Sequence, residues 1–130
     1  MNENHQALID HCMDTATEML IMNGEFHPFG AFIGETGRVH PMGIEIELKK
    51  IPNNGQIVKK LHTLAVTEKM AEYVVCYEVS LQLEKNKDPQ DAICAECSNK
   101  SVPKIYLPYS KSIDDNQEEL VEFDEKFAVK

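Results

Sequence analysis

The segment from Asn23 to Gly43 constrains this chain most. It holds most of the glycines, two of the prolines and two of the five histidines. Asn23-Gly24 is a helix stop, because a residue that tolerates positive φ closes a helix there. His27-Pro28 then forces extended backbone. Phe29 to Ile33 reads as a buried strand. Gly34-Glu35-Thr36-Gly37 is a polar turn bracketed by glycine. Arg38 to Met42 returns, with Pro41 at an edge or a kink. A helix must therefore precede a β-hairpin, and the rest of the chain is organised around that junction.

Residues 3–22 carry Leu8, Ile9, Cys12, Met13, Ala16, Met19 and Leu20 at helical spacing, with Asp10, Asp14 and Glu18 between them. After the hairpin, Ile44, Ile46 and Leu48 alternate with Glu45 and Glu47, which predicts a half-exposed strand. Pro52 to Gly55 is a loop able to cap the next helix. Ile57, Val58, Leu61, Leu64, Ala65 and Ala71 then predict a second helix from Gln56, with its end left open by Thr63, Val66 and Thr67. Tyr73 to Leu83 is the clearest strand, with Val75, Tyr77, Val79, Leu81 and Leu83 on one side and Cys76, Glu78, Ser80 and Gln82 on the other. Residues 84–89 form a charged hairpin loop. Ala92 to Ser98 is the next strand, Ser98-Asn99-Lys100 a turn, and Val102 to Leu107 a third strand that Pro103 and Pro108 place at an edge or end early. Residues 110–119 read as a mobile acidic loop. Leu120 to Val129 fits a strand or a short helix equally.

The order α, β, β, α, β, β, β predicts an α+β fold. A single antiparallel sheet of about five strands, with two helices packed on one face, buries every apolar stripe. A chain of 130 residues makes one domain, 1–130, able to bury roughly two-thirds of its unfolded surface without a disulfide or metal. The four cysteines are unevenly spaced and predict reduced thiols and a cytoplasmic protein. Net charge is −9, with five acids and no Lys or Arg in residues 1–25 and seven acids against three lysines in residues 111–130. That balance argues against nucleic acid and anionic membrane surfaces as partners and is compatible with a basic protein. No apolar run approaches the ~18 residues of a membrane span, and Met1 to His5 lacks the start of a signal peptide.

The element order resembles the roadblock and profilin-like architecture, with Gly30-Ala31-Phe32-Ile33 and Thr36-Gly37-Arg38-Val39 placed like the first hairpin of such modules. A second resemblance is to small bacterial proteins carrying pieces like Gly24-Glu25-Phe26-x-Pro28-Phe29 and Leu107-Pro108-Tyr109. Some of these are similar to immunity proteins, which neutralise a toxin by binding it. Both resemblances imply protein binding, not chemistry.

Cys94-Ala95-Glu96-Cys97 is a CxxC motif, but it falls in a predicted strand, where positions three apart face opposite ways. It has neither the helix N-terminus of a redox pair nor a second ligand pair for zinc. The pattern reads as buried sheet cysteines. No two histidines have the H-x-x-x-H spacing, so no metal site or cofactor is expected. If His27, His40 and His62 meet, His27, His40 and Glu25 are the polar group to test. Glu25 beside Phe26 and Phe29 reads as a turn cap or as a carboxylate held against aromatics. Glu45 and Glu47 read as a solvated strand face. Tyr106 and Tyr109 form an aromatic partner surface or the rim of the sheet edge. No motif of a hydrolase, NTPase or dinucleotide enzyme occurs.

The sequence thus points to a non-enzymatic protein-binding module of immunity or adaptor type, with Glu25, His27, Phe29, His40, Tyr106 and Tyr109 as its binding residues. The alternative is a small cone-shaped ligand-binding protein or enzyme. Its pocket would be lined by Phe29, Phe32, Tyr77 and Val79, with His27 or His40 as the polar group. A homodimer is compatible with either reading.

Overall fold

The computed structural model describes residues 3–42, 53–82, 88–98 and 102–129. The expected strand over Ile44–Leu48, most of the loop at 84–89 and the turn at Asn99-Lys100 lie outside the described residues. The elements are α1 (Glu3–Asn23), β1 (Phe29–Ile33), β2 (Val39–Pro41), α2 (Asn54–Thr67), β3 (Tyr73–Leu81), β4 (Gln90–Cys97), β5 (Lys104–Ile113), β6 (Glu119–Phe123) and β7 (Phe127–Val129). Among the described residues the strands form one antiparallel sheet of seven, ordered β2-β1-β3-β4-β5-β6, with β7 also pairing β5. The α+β class and the antiparallel sheet stand, and the expected five strands become seven.

The glycine-rich junction folds as its residues demand. Gly24, at φ +78°, closes α1 with its amide donating to Leu20 O at 2.8 Å. The turn at 34–37 is closed by Gly34 N donating to Arg38 O and Gly37 N to Gly34 O, both at 3.0 Å. α2 starts at Asn54, two residues before the expected Gln56. Asn53 and Gln56 form a reciprocal capping box that satisfies two otherwise unpaired amides.

The helices do not share a face. Buried α1 residues Leu8, Ile9, Cys12, Met13, Ala16 and Leu20 join Ala31, Val74, Cys76, Ile93, Ala95 and Cys97 in one core. Ile57, Leu61 and Ala65 of α2 join Met42 and Val75 in another. Val74, Val75 and Cys76 are each 0 % exposed. Consecutive strand residues point to opposite faces, so β3 is buried on both. The expectation of two helices on one face is corrected accordingly: α1 and α2 sandwich the sheet. Each fully buried Leu or Ile contributes about 2 kcal/mol, so each layer contributes to stability.

β5 also departs from expectation. It runs through Pro108 to Ile113 instead of ending near Leu107. On one side it pairs β4 as far as Ala92↔Pro108. On the other, the β6 pairs begin at Tyr109↔Phe123 and the β7 pairs at Tyr106↔Phe127. The two registers differ by one residue, so a bulge lies between β6 and β7 opposite Pro108, the residue without an amide proton to donate. Residues 110–119, expected as a loop, are strand up to Ile113, a tight turn at 114–118 and the first residue of β6 at Glu119. Residues 120–129, left open between strand and helix, provide strands β6 and β7.

Candidate functional site

On the α2 side of the sheet, polar groups from α2, β3, β4 and β5 converge on Glu96. Tyr77 Oη donates to Glu96 Oε2 at 2.7 Å. His62 Nε2 lies 3.4 Å from Glu96 Oε1, and Lys104 Nζ lies 3.7 Å from Oε2. His62 Nδ1 is 3.2 Å from Tyr73 Oη. Cys94 sits beside them, directly opposite Tyr77 on β3 and Tyr106 on β5. Strand pairing alone brings Tyr77, Cys94 and Tyr106 into one row.

The chemistry of this cluster is quiet. Burial pushes the Cys94 thiol up, and the hydrogen bond with Tyr77, then the nearby Lys104, only partly oppose it. Burial and the bond to Glu96 hold the Tyr77 phenol well above its ordinary range. Both imidazole nitrogens of His62 have a partner within 3.4 Å. A nucleophile needs its proton removed easily, and here the proton is retained. The His62 and Glu96 side chains are 32 % and 28 % exposed, so water weakens their attraction. The cluster fastens α2 to the sheet.

The CxxC pair behaves as its strand placement implies. Cys94 faces α2, and Cys97 lies in the α1 core. Burial, then the charges of Cys94 and Glu96, pushes Cys97 up to about 11. This is opposite to the shift a redox pair requires. No group of three or more His, Cys, Asp or Glu side chains able to hold a metal occurs among the described residues.

The residues singled out from the sequence do not form one site. Glu25 and His27 are exposed. Phe29 faces the α1 core and meets Phe26 edge-on at 5.7 Å. His40 is exposed and stacks on Phe32 at 5.5 Å, while His62 is engaged with Tyr73 and Glu96. The three histidines therefore do not meet over Glu25. Phe29 and Phe32 are three residues apart on β1 and face opposite layers, so they cannot line one pocket with Tyr77. The same parity separates Tyr106 from Tyr109. Tyr106 stacks on Phe127 at 5.5 Å on the α2 side. Tyr109 is 3 % exposed on the α1 side and donates to Glu78 Oε2 at 2.6 Å.

Sequence reasoning missed the hairpin of β5 and β6. Beyond Pro108, β5 has no further pairing with β4 among the described residues, and it continues with β6 as a two-stranded arm. Asp114 shapes the tip, its Oδ1 accepting from Asn116 N at 2.9 Å and Glu118 N at 2.8 Å. The base is tied to α1. Lys111 Nζ donates to Gly24 O and lies 3.9 Å from Glu119 Oε1. From Asp114 to Glu125 the chain carries seven acids and no Lys or Arg. Asp114, Asp115, Glu118 and Glu119, read from the sequence as part of a loop, sit at the hairpin turn and the start of β6, and Glu122 lies on β6 itself.

No helix among the described residues is long and apolar enough to cross a membrane. No protein family matches the chain, and neither a curated protein nor a solved structure does.

Proposed function

We propose that this protein is a non-enzymatic binding module, of immunity or adaptor type, that holds a basic partner protein against the hairpin of β5 and β6. The observation that carries the reading is the run of seven acids, with no Lys or Arg, over residues 114–125 at an arm that extends past β4, where Lys111 of the same arm is set against Glu119 alone of the seven. Such a field steers a positively charged partner and discriminates against acidic ones. A cytoplasmic location fits the reduced thiols. The sequence-level resemblance to immunity-like proteins points the same way.

The test is capture of partners by the tagged chain from its native cells at moderate salt. A stoichiometric basic protein is expected, released at high salt. The triple variant Glu118→Gln, Glu122→Gln, Glu125→Gln should bind it about tenfold or more weakly. The pair Asp14→Asn, Glu18→Gln on the exposed side of α1 should bind it as the parent does. A lane holding only the bait, or a partner indifferent to the hairpin charges, would overturn the reading.

A second reading, a small-ligand or catalytic pocket with a histidine and a carboxylate, draws on the proximity of His62 and Glu96. It is weaker because the neighbouring thiol and phenols are held protonated. Loss of a ligand identified by small-molecule screening in Glu96→Gln would favour it.

A further inference from the structure

We propose that the outer edge of β6 takes up an extended basic segment of the partner as an additional strand of the sheet. This rests on the binding-module reading above and gives its mode of contact.

The phase of the β5–β6 ladder is set by two bonds. Asp114 N donates to Glu118 O, and Asp124 N donates to Pro108 O, both at 2.9 Å. In an antiparallel pair, bonded and non-bonded residue pairs alternate. With the register Ser112↔Leu120 and Ser110↔Glu122, the backbone groups of Leu120 and Glu122 turn inward to β5. Those of Glu119, Val121 and Phe123 turn outward. No strand pairs with that outer side among the described residues. Three residues thus present amides and carbonyls at a two-residue repeat, the template that strand addition uses.

Native edges are commonly blunted by lysine, proline or a bulge within the strand. β6 has no lysine or proline, and its bulge comes only after Phe123. The occupant follows from charge. β6 carries Glu119 and Glu122 and no basic residue, so a second copy laid along the same edge brings only like charge to the contact. A strand whose alternate lysines or arginines lie on the Glu122 face meets that carboxylate instead, while Glu119, three residues away on the opposite face, is set against Lys111. The tie of Lys111 to Gly24 and Glu119 holds the arm against α1, so the edge is ordered before the partner arrives.

The probe is a capped synthetic heptapeptide alternating lysine and valine, added to the full chain at low salt. Its control is the same peptide with every backbone amide N-methylated, equal in charge but unable to donate. Amide exchange of Glu119, Val121 and Phe123 should slow about tenfold or more on binding, with Leu120 and Glu122 little changed. The methylated peptide should bind about tenfold or more weakly. Val121→Pro, which removes an outward donor, should lose binding, while Val121→Ala, which removes only packing, should keep it. Equal binding of both peptides without the alternating protection would overturn strand addition and leave the charge-guided reading standing. Binding of neither peptide would overturn both.

Discussion

Glu78 and Tyr109 meet across the α1 face of the sheet, and their contact joins three parts of the chain. The Tyr109 hydroxyl donates to Glu78 Oε2 at 2.6 Å, and the amide of Phe26 donates to Oε1 at 3.0 Å. One carboxylate on β3 therefore holds both the segment after α1 and the base of the β5–β6 arm. Tyr109→Phe should cost about 1 kcal/mol, because a half-buried acceptor loses one of two donors. Glu78→Ala should cost more, since it also strands the Phe26 amide and the tyrosine hydroxyl. Urea unfolding of the two variants checks the order. Equal stabilities would mean that the carboxylate holds nothing.

Gly30 is required by space, not by its dihedral angles. A Cβ there would lie 2.7 Å from Met42 Sδ and 2.9 Å from Val74 O. The methionine can swing aside, but the carbonyl belongs to the central strand and cannot. Gly30→Ala should therefore destabilise by about 1–3 kcal/mol. Adding Met42→Ala should not restore the parent stability. Thermal unfolding of the single and double variants decides it, and full recovery in the double variant would place the whole conflict on Met42.

The central strands show why the layering escaped the sequence reading. Tyr73 to Leu81 alternates well enough to suggest one buried face, yet Val74-Val75-Cys76 and Ala92-Ile93-Cys94-Ala95 are unbroken apolar runs. An unbroken run is the mark of a strand covered on both sides. Taken as such, it requires a helix on each face. The hairpin 29–42 and α1 were legible because glycine, proline and helical spacing act locally. β5 was not, because Pro108 is tolerated only through a bulge in a strand further along the chain, a pairing the local sequence does not encode. The acids of 110–119 look like solvated loop by composition, although Asp114 holds two amides of the turn with its carboxylate. The polar cluster at Glu96 depended on strand register and on α2 crossing β3, both tertiary facts.

Alkaline pH should unfold the protein through its buried thiols. Burial, then the charge of Cys97, pushes Cys12 from the ordinary 9.0 up to about 12. Burial, then the charges of Cys94 and Glu96, pushes Cys97 up to about 11. Each thiol keeps its proton longer in the folded chain than in the unfolded one. Its stabilising contribution is complete below pH 9 and is lost as pH rises towards those values. Stability from urea titrations should be level in these groups below pH 9 and then fall, by about 1 kcal/mol per pH unit for each titrating thiol. Cys97→Ala should make the slope shallower between pH 9 and 11. A slope unchanged in that variant would assign the loss to other groups.

Asp114 is where the fold and the proposed function can be separated by one atom. Its Oδ1 accepts from the amides of Asn116 and Glu118, and Gln117 between them adopts φ 63°, the left-handed conformation the turn demands. Asp114→Ala removes both the acceptor and a charge. Asp114→Asn removes the charge and keeps an oxygen in place. If the carboxylate serves the turn, Asp114→Ala should destabilise by about 1 kcal/mol or more, while Asp114→Asn stays near the parent. Binding of the lysine–valine peptide should fall modestly in Asp114→Asn, by the share of one charge among seven. It should fall further in Asp114→Ala, because a loosened tip no longer presents the edge of β6 in one conformation and the peptide must order it on binding. Equal binding losses in the two variants would show that the partner reads the charge of the arm and is indifferent to its shape.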